Sequence, residues 1–359
     1  MTGLVSRFAL VAALALSACD DKPPAKPAPA NTVQKTPAPT VSAPPVSAAS
    51  SPVGQAINAA AFDPAATDPR ARRDVLIRVQ TLLDRAHFSP GVIDGRDGGN
   101  LKLAIQAFQK AQDMTMDGEV SQALVNALVA ADNGPVMVDY TITAADVAGP
   151  FTPPIPKDDY EAMAREPAMN HHDIVEMLAE RFHMDEALLR ELNPGVNFNQ
   201  VGAAIMVTAA GADRLEAKVD RIEIDKALGQ VRAFDEAGVE LAVYPATVGS
   251  TERPAPSGEW AVRTLAPRPT YTYDPSRLTF GKPNTKLTIQ AGPNNPVGST
   301  WIDLTKDTYG IHGTPDPKLV NKRASHGCVR LTNWDAAELG SAVKKGAKVI
   351  FMGVEARPG

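Results

Sequence analysis

The stretch "KPPAKPAPANTVQKTPAPTVSAPPVS", Lys22 to Ser47, sets the first limit on this chain, because no core can be built from it. It has no aromatic residue and few large aliphatic ones, so it cannot bury enough apolar surface to offset its ordering entropy. The same Pro, Ala, Ser and Thr texture continues to about Pro69, with almost no aromatics, and 19–69 reads as a disordered tether. At about 3.1 Å per residue in polyproline geometry, its reach is at most on the order of 150 Å. The folded part must lie downstream, and the length of 359 residues suggests two or three domains. A formal net charge of −5 gives no electrostatic case for a nucleic-acid partner.

Ahead of the tether stands "MTGLVSRFALVAALALSACDD", with Arg7 before an apolar run from Phe8 to Leu16. That run is far shorter than the roughly 20 residues a membrane span needs, so it reads as a signal-peptide core. Leu16-Ser17-Ala18-Cys19 resembles the lipobox of bacterial lipoproteins, which are cleaved just before a lipidated cysteine. The resemblance implies that 1–18 is removed and that Cys19 carries acyl chains that anchor the protein to a membrane, at about 0.8 kcal/mol per buried CH₂. Asp20 implies, by the same resemblance, a periplasm-facing lipoprotein of the cell envelope held at the inner rather than the outer membrane. An ordinary signal peptide cleaved nearby is the alternative.

Cysteine count then sharpens. The chain has two cysteines, and with Cys19 lipidated Cys328 has no intramolecular partner. Exported chains use cysteines in pairs, so the remaining one is either a buried hydrophobe or a reactive thiol.

Three helical stretches follow the tether, in a domain spanning 70–135. Val75, Val79, Leu82 and Leu83 mark one face, Leu103, Ile105, Phe108 and Ala111 a second, Val120, Leu124 and Leu128 a third. Asp94-Gly95 and Asp117-Gly118 are the turns between them. This near-repeat, centred on "AIQAFQKAQDMTMDG", resembles the three-helix peptidoglycan-binding domain, with Asn100 and Val120 standing where that family usually has Thr and Gly. In the next segment, 136–211, "DIVEMLAERFHMDEALLRELNPGVNFNQVGAAIMVT" gives two helices, Asn193-Pro194-Gly195 and a short strand ending at Val207. It resembles a LysM-type βααβ module, which implies glycan as a partner. His171, His172 and His183 lack metal-ligand spacing and read as surface histidines.

From about Leu215 the pattern becomes β-rich, defining a mostly-β domain over 212–359. Strands are expected from Val219, Val231 and Val239, then at 258–262, 300–304 and in "KVIFMGV", with one helix from Asn333 to Val343 capped by Thr332 or Asn333. The fold class expected overall is multidomain α+β: a small three-helix bundle, a LysM-like βααβ module and this mostly-β domain.

Here lie "YGIHGTPDPKLVNKRASHGCVRL", with His312-Gly313-Thr314 upstream and Ser325-His326-Gly327-Cys328-Val329-Arg330 at its end. The two-part signature, with "PSGEW" (Pro256 to Trp260) and "GPNNPVG" (Gly292 to Gly298) before it, resembles the YkuD-type L,D-transpeptidases. A thiol near pKa 8.5 is only a few per cent thiolate at neutral pH and needs an imidazole to take its proton. The resemblance makes Cys328 the nucleophile and His312 the base, its tautomer held by the Gly313 carbonyl. His326 is the other candidate, and spacing alone does not choose between them. Gly327 lets backbone approach the reacting carbonyl, and amides near Gly327 and Cys328 are oxyanion candidates. Arg330 could fork onto a substrate carboxylate or hold the loop, with Ser325 and Thr314 nearby.

Carried over, the activity is acyl transfer on peptidoglycan tetrapeptide stems through a thioester, forming 3→3 crosslinks, open to carbapenem inhibition and needing no metal or organic cofactor. Water as acceptor would give a carboxypeptidase, and a protein lysine would attach an envelope protein to the wall. A non-catalytic wall-binding tether is the alternative outside the enzyme class.

Overall fold

The computed structural model describes residues 46–249, 254–276, 284–322 and 327–354. The expected signal peptide, Cys19, Ser325 and His326 lie outside the described residues, as does the tether up to residue 45.

Order begins earlier than composition suggests. Ser47–Ala48 form β1 and Pro52–Ala59 form α1, inside the segment expected to be a disordered tether to 69. Ser51 caps α1 by accepting from Gly54 N–H, and Ile57 is fully buried. The strand β1 pairs antiparallel with β2 (Met137–Thr141), which pairs with β3 (Ala204–Thr208). The early segment therefore folds on a sheet edge supplied by residues some ninety positions downstream, a cause no local pattern contains.

The three-helix unit is α2 (Pro69–Arg85), α3 (Gly99–Ala111) and α4 (Gln122–Ala131). Its two Asp-Gly turns are clamped by one repeated device. The Gln80 amide accepts from Gly95 N–H at 2.8 Å and donates to Asp94 at 2.9 Å, and Gln109 does the same for Gly118 and Asp117 at 2.9 and 2.6 Å. On α3 the buried face is Leu101, Ala104, Ile105 and Phe108, whereas Leu103 is half-buried and Ala111 exposed. Leu103 lies two residues, about 200° of helix, from Leu101 and Ile105, which turns it away from their face.

Then come α5 (Ala144–Ala148), α6 (Tyr160–Arg165), α7 (Ile174–Arg181) and α8 (Glu186–Leu192) before β3. The βααβ order is present, with 142–173 inserted between its first strand and α7. Asn193 is buried and closes the unit: its Nδ2 donates to Leu189 O and Met206 O, both at 2.8 Å, and its Oδ1 accepts from Met206 N–H. The boundary expected at 135/136 divides a single packed body, because Leu83, Phe108, Tyr140, Leu178 and Leu189 belong to one core.

The β-rich part runs β4 (Val219–Asp225), β5 (Gln230–Phe234), β6 (Glu240–Pro245), β7 (Thr247–Val248), β8 (Gly258–Pro267), β9 (Tyr271–Tyr273), β10 (Leu287–Ile289), β11 (Thr300–Leu304), β12 (Gly310–His312), β13 (Val329–Arg330), α9 (Asn333–Ala342) and β14 (Val343–Met352). Nine strands form one sheet in the order β6-β5-β4-β14-β8-β11-β12-β13-β7, while β9 and β10 make a separate hairpin. Thr332 caps α9 by accepting from Asp335 N–H at 3.1 Å. This domain has its own core, including Ile222, Val231, Ile302, Leu331 and Leu339.

The two bodies meet along a hydrogen-bonded, charged junction. Residues 87–89 pair with the edge strand β6, Val243 N–H donating to His87 O at 2.8 Å and Ser89 N–H to Val243 O at 2.9 Å. Asn100 faces the same junction: its Nδ2 donates to Val320 O at 3.2 Å and its Oδ1 accepts from Asn321 Nδ2 at 3.1 Å. His183, expected at the surface, is buried here between Asp84 at 3.1 Å and Asp213 at 2.9 Å, and stacks on Trp334 at 4.9 Å. Carboxylate oxygens face both ring nitrogens, so both carry protons. Burial opposes that charge, but Asp84 and Asp213 outweigh it and hold the His183 pKa well above its ordinary value. Across the interface, burial pushes Asp335 up to about 8, reinforced by the charges of Asp84 and Glu338.

Stability should therefore depend on pH in a defined direction. Folded Asp335 retains a proton that the unfolded chain releases near 3.8, and folded His183 retains one above 6.5. Below 6.5 this is offset by buried His312, whose pKa is pushed down to about 3; above 6.5 the native state binds more protons, so stability falls as pH rises, through about 8 for Asp335. Thermal melts should show Tm falling from neutral to alkaline pH. Asp335→Asn, a mimic of the neutral acid, should flatten that fall; an unchanged slope would place Asp335 outside the titrating set.

Candidate active site

Two short strands assemble the motif. β12 and β13 run parallel, with Ile311 opposite Val329 and His312 opposite Arg330, and Leu331 N–H donates to His312 O at 2.8 Å. Paired positions of neighbouring strands share a face, so His312 and Arg330 do, and Cys328 lies in the bend that leads directly into β13. The pairing thus converts the eighteen-residue separation of His312 and Arg330 into neighbouring positions on one sheet.

His312 is buried, its ring stacked on Trp301 of β11 at 5.5 Å. Its Nδ1 lies 2.7 Å from Gly313 O. A carbonyl only accepts, so Nδ1 carries the proton and Nε2 keeps a lone pair for a base. Burial, helped by the Arg330 charge, pushes this imidazole down to about 3, against the pull of the Gly313 carbonyl. Cys328 is half-buried, with Sγ 3.8 Å from Thr308 O. Burial raises its pKa, while the Gly310 N–H and the Arg330 charge pull it back. Both shifts favour a neutral thiol beside a neutral imidazole at rest.

The supporting shell explains the glycines. A Cβ at Gly313 would stand 2.2 Å from Asn333 Oδ1. Asn333 cannot yield easily, because Oδ1 accepts from Ser299 N–H at 3.0 Å and Nδ2 donates to Glu180 at 2.9 Å and Pro293 O at 3.1 Å. One side chain at the start of α9 thus ties the "GPNNPVG" loop and α7 to the turn that follows His312. Gly327 has φ 111°, and a Cβ there would press on the Tyr309 ring at 3.3 Å.

Thr314, expected near substrate, is instead buried, and its hydroxyl accepts from Asp316 N–H at 3.2 Å, shaping the turn after Gly313. Arg330 is half-buried, and its Nε is buried with no hydrogen-bond partner among the described residues. Trp301 and Asn333, which flank His312 and Gly313, carry no functional signal in the sequence. Trp301 reaches His312 only through strand pairing, and Asn333 showed only its position at a helix start.

Comparison with known proteins matches this arrangement to a family. Residues 219–351 match the L,D-transpeptidase catalytic domain, YkuD, and residues 72–128 match a peptidoglycan binding domain. The chain carries an L,D-transpeptidase catalytic domain joined to a peptidoglycan-binding domain. The L,D-transpeptidase YkuD of Bacillus licheniformis is 28% identical over 177 residues, 49% of this chain and 92% of the relative. YkuD of Bacillus subtilis is 31% identical over 109 residues, 30% of this chain and 52% of the relative. YbiS of Escherichia coli, an L,D-transpeptidase by name, is 26% identical over 185 residues, 50% of this chain and 60% of the relative. The chain therefore spans only part of the latter two. A crystal structure of an L,D-transpeptidase from Stackebrandtia nassauensis aligns with 79% of this chain and 92% of its own at 15% identity, with a TM-score of 0.31.

The thiol's electrostatics are directly measurable. Alkylation of Cys328 by iodoacetamide, followed by mass of the Cys328 peptide, should keep accelerating beyond the ordinary thiol pKa of about 8.5. Arg330→Gln removes a charge that favours the thiolate, so it should move the midpoint to higher pH. A midpoint below neutrality in the wild type would mean a preformed thiolate.

Proposed function

We propose that the protein is a cysteine-dependent L,D-transpeptidase that acts on peptidoglycan tetrapeptide stems and forms 3→3 crosslinks. The observation that carries this reading is the placement of His312 opposite Arg330 on two paired strands, with Cys328 leading directly into the second. His312 Nε2 takes the thiol proton as sulfur attacks the carbonyl of the third stem residue, diaminopimelate. The amide bond to the terminal D-Ala breaks, its amine leaves with that proton, and a thioester remains on Cys328. An amine from a second stem then attacks the thioester, gives up a proton to His312, and releases the sulfur, which regains it. N–H groups near Gly327 and Cys328 would hold the oxyanion.

Several features support the assignment of roles. Proton transfer concerted with attack fits a site in which both partners are neutral at rest. Arg330, whose buried Nε has no hydrogen-bond partner among the described residues, suits a carboxylate or carbonyl of the stem. His326 and Ser325 are proposed to shape the site beside Gly327. Water or a protein lysine in place of the stem amine would give the trimming or attachment reactions instead. Glycan recognition by the βααβ unit is proposed from its order of elements, and envelope anchoring through acylated Cys19 from the lipobox.

Two measurements test this. The chain incubated with a carbapenem should gain one covalent adduct by intact mass, and Cys328→Ala should gain none. With purified tetrapeptide-rich wall, crosslinked dimers should accumulate; tripeptides alone would replace crosslinking with carboxypeptidase activity.

A further inference from the structure

The turn between β11 and β12, residues 305–309, lies directly against the thiol. Its Thr308 carbonyl is 3.8 Å from Cys328 Sγ. The ring of Tyr309 stands 3.3 Å from the place of a Cβ at Gly327, so it packs on the backbone that leads into the nucleophile. Thr308 has φ 67°, a left-handed conformation that strains a β-branched residue. Such strain persists only where the surroundings over-determine the backbone. They do so here: Tyr309 N–H donates to Lys306 O and Leu304 N–H to Tyr309 O, both at 3.2 Å, and Thr305 N–H donates to Ala261 O at 2.8 Å.

Lys306 leaves this fixed turn across two aromatic faces. Its Nζ lies 5.3 Å from the centroid of the Trp260 ring and 5.9 Å from that of Tyr309, the same ring that packs on Gly327. Lys306, Trp260, Tyr309 and Cys328 are all half-buried, so each keeps part of its surface in solvent. Acidic residues of the flanking strands are engaged elsewhere, Asp303 with Arg263 at 3.5 Å and Glu259 with Lys348 at 3.2 Å. Lys306 forms no ion pair among the described residues, and the adjacent Asp307 is exposed without pairing to it. Aromatic faces attract an ammonium but leave its charge whole. They also restrict a flexible four-carbon stem, so less freedom is lost when an anion arrives.

We propose that Lys306 is a specificity-determining residue that receives a carboxylate of the stem peptide beside the thiol, with Trp260 and Tyr309 holding its ammonium in place. The inference rests on the transpeptidase reading and deepens it. Arg330 stands on the strand after Cys328 and Lys306 on the turn before His312, so the two cations serve the site from different elements. A tetrapeptide stem carries carboxylates on its second residue, on the diaminopimelate side chain and on the terminal D-Ala, more than one guanidinium can meet. A compact ammonium takes any of them as a point charge.

The test uses the full chain and a disaccharide-tetrapeptide containing diaminopimelate, together with three forms of it, each amidated at one of those carboxylates. Lys306→Gln should raise KM for the unmodified substrate about tenfold, while kcat changes less than about threefold. Lys306→Arg, which keeps the charge, should stay within about threefold of the wild-type KM. One amidated form should raise the wild-type KM about tenfold and show no further rise with Lys306→Gln, which identifies the carboxylate that is met. An unchanged KM in Lys306→Gln, or a penalty that persists in full on all three amidated forms, overturns the proposal. So does a wild-type KM indifferent to every amidation, a result that needs no variant. A wild-type chain that leaves the tetrapeptide intact overturns the parent reading and this one with it; an active wild type with a KM insensitive to residue 306 overturns this inference alone.

Discussion

The parallel pairing of β12 with β13 is the constraint on which the rest depends. It is only two residues deep, yet it sets His312 opposite Arg330, two residues after Cys328. A pairing so short cannot hold itself. Its neighbours do: β11 buttresses β12 and stacks Trp301 on His312, while β7 covers β13 through Val248 and Thr247. Asn333 then locks the turn after the base from the opposite side, and Gly313 leaves it the room.

The same logic governs how the two bodies meet. Asn100 spends its amide on Val320 and Asn321, and Asn321 also donates from its backbone to Thr247 Oγ1 at 2.8 Å. Thr247 lies opposite Arg330 across β7 and β13. A continuous chain of contacts thus joins the N-terminus of α3 to the strand that follows Cys328. Glu180 of α7 reaches Asn333, and Lys157 reaches Asp316, so the non-catalytic body holds the site from three directions.

What the sequence made legible follows from the range of the forces involved. The long strands β4, β5, β6, β11 and β14 and the helix α9 announce themselves by local alternation or capping, and their expected positions agree with the fold. The helical bundle is legible for the same reason, through its apolar faces and its two Asp-Gly turns. The two-part His and Cys motif marked its residues without their register, since β12 and β13 are too short to show a period. What stayed hidden is tertiary in origin. β1 depends on β2, His183 on carboxylates 99 and 30 residues away, and Tyr160 on a hairpin more than a hundred residues downstream. In each case the partner lies too far along the chain for local pattern to name it.

The electrostatics of the site also answer the difficulty of a single thiol in the exported setting proposed for this chain. Oxidants attack thiolate rather than thiol, so a nucleophile kept ionised at rest would be consumed between turnovers. Burial here raises the thiol and lowers the imidazole, which keeps the sulfur protonated while the base stays unprotonated and ready. Charge separation then waits for an electrophile, when the developing oxyanion and the imidazolium stabilise one another. Arg330 sits on both sides of this balance, favouring the thiolate and disfavouring the imidazolium. A substrate carboxylate or carbonyl that engaged the guanidinium would weaken its hold on His312 and make the imidazole a stronger base. Substrate binding and nucleophile activation would then be the same event, and the thiol would be reactive only where an acyl donor was already in place.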